Sequence, residues 1–157
     1  MKKLLLLPLI FTFIACGGTD DETDNAGGNM EDNRTFLEKY DGFGYYSEDD
    51  GVFDYYFFSD SSTFLSYVEV YQDDPYCAEF REGRNDGLDD VEINVSIVTD
   101  DSSSLLIQLD YTYDGQSMTE SLEFTVDGNT LSIKYDNDPN DVSTFTKTST
   151  TFASLCD

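Results

Sequence analysis

Sulfur and carboxylate oxygen are the reactive atoms this chain has to offer. Its thiols are Cys16, Cys77 and Cys156, and it carries 33 Asp and Glu side chains but no histidine. Without histidine there is no Ser-His-Asp or Cys-His nucleophile system, and the commonest zinc ligand is missing. Two carboxylates alone suffice for glycoside hydrolysis, but acids are spread along the whole chain and no pair stands out. No catalytic residue is assigned, no cofactor is expected, and the chain is read as a non-enzyme. Asp136, Asn137, Asp138, Asn140 and Asp141 gather oxygen donors in one turn. Calcium takes six to eight such oxygens. Pro139 sits inside this turn and no bidentate glutamate follows it, so the expectation is a solvated turn and no metal site.

Cys16 has a different setting. Lys2 and Lys3 precede an apolar run, Leu4 to Ala15, broken only by Pro8 and Thr12. A helical span of a bilayer needs about 20 apolar residues, so this run is too short to cross one and fits the apolar region of a secretory leader. It ends Phe13-Ile14-Ala15-Cys16, which resembles a lipobox: a small residue before a cysteine that is acylated and becomes the new N-terminus. Phe13 stands where leucine is usual. Two or more acyl chains hold a protein on a membrane, at ~0.8 kcal/mol per buried CH₂. The expectation is a leader over residues 1–15, lipid attachment at Cys16, and an outer-membrane protein facing the periplasm or the cell surface.

Residues 16–33 form the expected tether. From Gly17 to Asn33 there is almost nothing apolar to bury. As a flexible chain the stretch spans roughly 20–25 Å, and Asp20, Asp21, Glu22 and Asp24 extend it further. Acids directly after a lipidated cysteine are similar to the export pattern of surface lipoproteins in Bacteroidetes-type bacteria. The formal net charge is −25, and loss of Lys2 and Lys3 with a leader makes it more negative still. That balance argues against nucleic acid and against anionic lipid surfaces as partners.

With Cys16 lipidated, Cys77 and Cys156 remain as an even pair in an exported protein, and a disulfide between them is predicted. The folded domain is read as residues 34–157. Thr35-Phe36-Leu37-Glu38-Lys39-Tyr40 is the one helical stretch, with Asn33 or Thr35 as cap and Gly42 as its end. Strands are predicted over Phe43–Ser47, Val52–Ser59, Thr63–Tyr71, Tyr76–Arg81, Val91–Thr99, Ser104–Tyr113, Ser117–Val126, Thr130–Tyr135 and Val142–Thr148. Val91, Ile93, Val95 and Ile97 alternate with polar neighbours. So do Ile107, Leu109, Tyr111 and Tyr113, then Leu122, Phe124 and Val126, then Leu131, Ile133 and Tyr135. Period two with one polar face marks half-buried antiparallel sheet. Asp114-Gly115 and Asp127-Gly128 read as hairpin turns. Many similar strands with short links are best relieved of their edges by closing into a barrel of about eight strands; a twisted sandwich is the competing architecture. Aromatics crowd Phe43 to Phe58, either as the wall of a calyx or as plain core. With 12 Phe in the chain, filling is favoured over a hollow interior.

Together, the segment Thr35 to Gly42, the train of strands, Cys77, and the ending from Phe145-Thr146-Lys147 to Cys156-Asp157 resemble small lipocalin-like lipoproteins of Bacteroidetes. The resemblance covers most of the chain after Cys16. It implies a meander closing into a lipocalin-like barrel and a basic side chain packed on an aromatic of the first strand. Here that basic residue is Lys147, and Tyr45 or Tyr46 takes the place of the family's tryptophan, after Gly42 and Gly44. The implied function is a non-catalytic, membrane-anchored binding module for a small apolar ligand or a partner. The alternative is a scaffold whose acidic loops bind a basic partner or a cation.

Overall fold

A computed structural model of the chain describes residues 32–86, 91–136, 138 and 140–156. The expected leader, Cys16 and the expected tether up to residue 31 lie outside the described residues. The first described element is α1 (Phe36–Tyr40), and Thr35 begins it with a capping box. The Glu38 N–H donates to Thr35 Oγ1 at 3.3 Å, and the Thr35 N–H donates to Glu38 Oε2 at 2.8 Å. Two of the amides a helix start leaves without partners are thereby satisfied. Gly42 takes a positive φ of +75° and turns the chain into the first strand.

Ten strands follow: β1 (Gly44–Asp49), β2 (Val52–Phe58), β3 (Leu65–Tyr71), β4 (Asp74–Phe80), β5 (Gly83–Asp86), β6 (Glu92–Asp100), β7 (Ser104–Tyr113), β8 (Gln116–Asp127), β9 (Thr130–Tyr135) and β10 (Val142–Thr148). A second short helix, α2 (Phe152–Cys156), ends the chain. All pairings are antiparallel, in the order β4-β3-β2-β1-β10-β9-β8-β7-β6-β5. The sheet curls into a nearly closed barrel. The count corrects the expectation of about eight strands, and α2 adds a helix the pattern did not announce. Both expected hairpins form: Tyr113 pairs with Gln116 across Asp114-Gly115, and Asp127 pairs with Thr130.

Closure comes from one bend. β4 and β5 stand at opposite ends of the strand order, yet only Arg81 and Glu82 separate them in sequence. At this bend the chain leaves β3 and takes up pairing with β6. Gly83 turns the corner at φ +92°. Bending a strand leaves backbone groups without ladder partners, and a buried one must find another. Asn85 supplies it. Its Oδ1 accepts from the Arg81 N–H at 2.9 Å, and its Nδ2 donates to the Arg81 and Gly83 carbonyls at 2.7 and 2.8 Å. Asn85 is buried for this reason.

Antiparallel register sorts the side chains. Tyr45, Tyr56, Tyr67 and Ala78 face one another across four strands, and Phe58, Leu65 and Phe80 across three; these point inward. The aromatic crowd therefore divides by parity. Phe43, Tyr45, Tyr56 and Phe58 belong to the inner face, whereas Tyr46, Phe53, Tyr55 and Phe57 belong to the outer one. On the outside, Tyr46 stacks on Tyr55, Tyr55 on Phe57, and Phe57 meets Phe152 of α2.

α1 fills one end of the barrel. Phe36 and Leu37 are buried with Phe58, Phe64, Leu105 and Phe124 in a single core cluster. The Phe36 ring lies 5.2 Å from Phe58, and Phe58 lies 5.5 Å from Phe124, both edge to face. A bulge between Ile97 and Thr99 shifts the register of β6 against β7 and brings Asp100 opposite Leu105. Asp100 thereby faces α1, and its Oδ1 accepts from the Leu37 N–H at 3.1 Å. The bulged Val98 is left exposed. Lys39 Nζ donates to the Ser102 carbonyl at 2.7 Å and ties the helix to the β6–β7 turn.

Candidate functional site

The opposite end of the barrel is not filled. An apolar cavity of about 180 Å³ lies inside, walled by Tyr56, Leu65, Tyr67, Phe80, Ile107, Leu109 and Leu122. A second, of about 290 Å³, lies at the seam where β4 parts from β6; Tyr67, Tyr76, Ala78, Phe80, Val91, Ile93, Leu109, Tyr111, Tyr113 and Glu120 line it. Tyr67, Phe80 and Leu109 belong to both, so the two spaces adjoin at those side chains. Small-molecule sites occupy roughly 300–1,000 Å³, and the two together fall near the lower end of that range. Filling by phenylalanine therefore holds at the α1 end alone. Of the aromatics between Phe43 and Phe58, Tyr56 lines the inner cavity.

The hollow forms because β2, β3, β7 and β8 place tyrosines and acids, rather than phenylalanines, at this end. Tyr67 Oη donates to Asp54 Oδ1 at 2.6 Å and lies 3.3 Å from Glu69 Oε2. Asp54 and Glu69 stand directly opposite in the β2–β3 ladder, where like charges are unfavourable, and the shared phenol lies between them. Tyr111 Oη donates to Glu120 Oε1 across β7 and β8. The Tyr56 and Tyr67 rings lie 5.1 Å apart, and Phe145 meets Tyr56 edge to face at 5.0 Å. Among the described residues, no lysine or arginine lines either cavity. The described ion pairs are Arg34–Asp32, Lys39–Asp32, Arg84–Glu92 and Lys134–Glu123, and none involves Asp54, Glu69 or Glu120.

Three phenols at this end, those of Tyr56, Tyr67 and Tyr111, are held neutral. Burial, then the bond to Asp54, pushes the Tyr67 hydroxyl up. Burial and the neighbouring Tyr135 do the same for Tyr56. Tyr111 is raised chiefly by its bond to Glu120. Deeper in, burial pushes Tyr45 up to about 12, and its hydroxyl has no hydrogen-bond partner among the described residues.

A pH dependence follows. An unfolded tyrosine ionises near pH 10. A phenol raised above that value favours the fold, fully so below pH 10, and its contribution fades as pH climbs through the folded value, about 12 for Tyr45. In alkaline titration followed by phenolate absorbance, Tyr45 should ionise only with cooperative unfolding between pH 10 and 12. A single transition centred on pH 10, with the fold intact, would contradict this burial.

Other expected sites fall as follows. Cys77 and Cys156 are bonded to each other, with Cα atoms 6.1 Å apart. Cys77 lies on the outer face of β4, so the bond fastens α2 against the outside of the barrel. Lys147 is cross-strand partner to Tyr45, but its amine lies over the Phe43 ring, 3.3 Å from the centroid. This corrects the expected pairing with Tyr45 or Tyr46. Tyr45 is buried against Phe58 and Tyr46 is on the outer face, whereas Phe43 shares the inner face with Lys147. In the acidic turn, Asn137 and Pro139 lie outside the described residues. Asp136 Oδ1 accepts from the Ser121 N–H at 3.0 Å, and Asp138 Oδ1 accepts from the backbone and side chain of Asn140 at 2.9 and 3.0 Å. Among the described residues, no three acids or cysteines converge in a metal-binding cluster, and no helix is long and apolar enough to cross a membrane.

No protein-family model, curated protein or solved structure matches this chain.

Proposed function

We propose that the protein is a lipid-anchored, lipocalin-like barrel of the bacterial outer membrane that binds a small, largely apolar ligand without chemical conversion. The observation that carries the binding reading is the pair of adjoining apolar cavities at the end of the barrel away from α1. A filled barrel of this size needs no such space, and concave apolar sites with a few polar groups are where small molecules bind. The anchor rests on the sequence: a positive start, an apolar run too short to cross a bilayer, and Ala15-Cys16 at its end. Residues 16–33 would hold the barrel away from the membrane surface.

Three experiments test this. Native mass spectrometry of the protein purified from its host should show a bound species that is lost on organic extraction. Labelled palmitate should enter the wild-type chain but not Cys16→Ser. Ala78→Leu places added carbons in the seam cavity and should lower occupancy while circular dichroism stays strand-rich. Uniformly empty protein from the host, together with unlabelled wild type, would remove both halves of the proposal.

A further inference from the structure

We infer that the ligand is an organic cation, an amine with an apolar body, and that Glu120 and the surrounding tyrosines hold its charged end. The inference rests on the ligand-binding reading above and specifies the chemistry of the occupant. Among the described residues, the seam cavity is lined by one charged residue, Glu120, and four tyrosines, Tyr67, Tyr76, Tyr111 and Tyr113, among otherwise apolar walls. Several aromatic rings around a carboxylate make a favourable surrounding for an ammonium group, through ring quadrupoles and charge together. The same lining is unfavourable to a carboxylate or phosphate, because among the described residues it contains no basic side chain.

Position supports the charge as well as composition. Glu120 is half-buried, and its bond to Tyr111 leaves it acceptor capacity for a second donor. No described ion pair neutralises it. Tyr67, which lines both cavities, is hydrogen-bonded through its hydroxyl to Asp54 and lies beside Glu69, so negative charge continues behind that side chain. Among the described residues no charged side chain lines the inner cavity, which suits the apolar body. An amine would therefore enter with its hydrocarbon toward Leu65, Ile107 and Leu122 and its charge at the seam. The chain's net charge of −25 draws cations toward the whole surface and raises their encounter rate.

The test titrates the full chain calorimetrically with a matched pair of probes, 4-phenylbutylammonium and 4-phenylbutanol, which share one apolar body. A half-buried charge pair should favour the amine over the alcohol by about tenfold or more. Glu120→Gln keeps an acceptor for Tyr111 and should shrink that ratio to about twofold. Tyr113→Leu, at an exposed position with little risk to folding, should shrink it partly. Equal binding of amine and alcohol overturns the charge assignment and leaves the cavity reading intact. Binding of neither probe overturns the cavity reading, and this inference with it. An amine preference that Glu120→Gln and Tyr113→Leu both leave untouched overturns the placement at the seam.

Discussion

Phe124→Ala is expected to lower the stability of the barrel by about 4 kcal/mol and its midpoint of thermal unfolding by roughly 15 °C. Phe124 is fully buried on β8. Its ring touches Phe58 on one side and Tyr56 on the other, at 5.5 and 6.0 Å, so it joins the core under α1 to the hollow end. Truncating a buried phenylalanine removes both its transfer free energy and its contacts, and the cost grows with the void that remains. The void here has little means to collapse, because Phe124 is held between hydrogen-bonded neighbours, Leu105 on β7 and Ile133 on β9. Denaturant titration would read the loss as a lower midpoint at unchanged slope. Phe124→Leu should recover more than half of it. A loss below about 1 kcal/mol would mean that the α1 end is loosely packed and that the core lies elsewhere.

What the sequence discloses, and what it hides, follows from how each element is held. Strands β6 to β9 announce themselves because each buries one apolar face and wets the other, so hydrophobic alternation is the cause of the strand as well as its mark. The β5 segment Gly83-Arg84-Asn85-Asp86 has no apolar residue. It is a strand because the bend at Arg81 and Glu82 delivers it to β6 and because Asn85 satisfies the bend, neither of which a hydrophobic pattern can display. Helix α2 is equally silent. It is five residues long, has no buried side chain, and is set by the mutual bonding of Thr151 and Ser154 and by the crosslink at Cys156. The bulge at Val98 breaks a run that reads as continuous, and its effect, bringing Asp100 to the α1 amides, depends on a partner more than sixty residues away.

The candidate site was less legible for a related reason. Acids are so frequent that Asp54, Glu69 and Glu120 carry no signal singly. They gain meaning from register: Asp54 opposite Glu69, Glu120 beside Tyr111, and all on the inner face of the end that α1 does not fill. Period two sends half of the aromatic stretch from Phe43 to Phe58 outside, and of that stretch Tyr56 lines a cavity. The other lining tyrosines stand on β3, β4 and β7, where their pattern is that of ordinary strand residues. Alternation predicts which side chains turn inward. It does not predict that one end receives phenylalanine and the other tyrosine with carboxylate, because that depends on which residues of distant strands share a level.

The largest single covalent contribution should come from the bond between Cys77 and Cys156. It closes a loop of 79 residues, and the chain-entropy model gives about 4.5 kcal/mol for a loop of that length, as an upper value. The double substitution to serine, or reduction of the native protein, should therefore cost about 3–4.5 kcal/mol while the strand-rich circular dichroism persists at low temperature. Packing at the same place is a separate and smaller quantity. α2 rests Phe152 on Phe57 at 6.1 Å, and Phe57 in turn covers Gly44, where an added Cβ would meet its ring at 2.6 Å. Phe152 is only half-buried, so Phe152→Ala in the oxidised protein should cost about 1 kcal/mol. The two losses tell crosslink from contact. If reduction costs no more than Phe152→Ala, the unfolded chain gains little freedom when the bond opens, and α2 is held by its packing. If reduction costs several times more, the bond acts on the unfolded ensemble, and it stabilises the seam by fixing β4, the strand that has only β3 beside it.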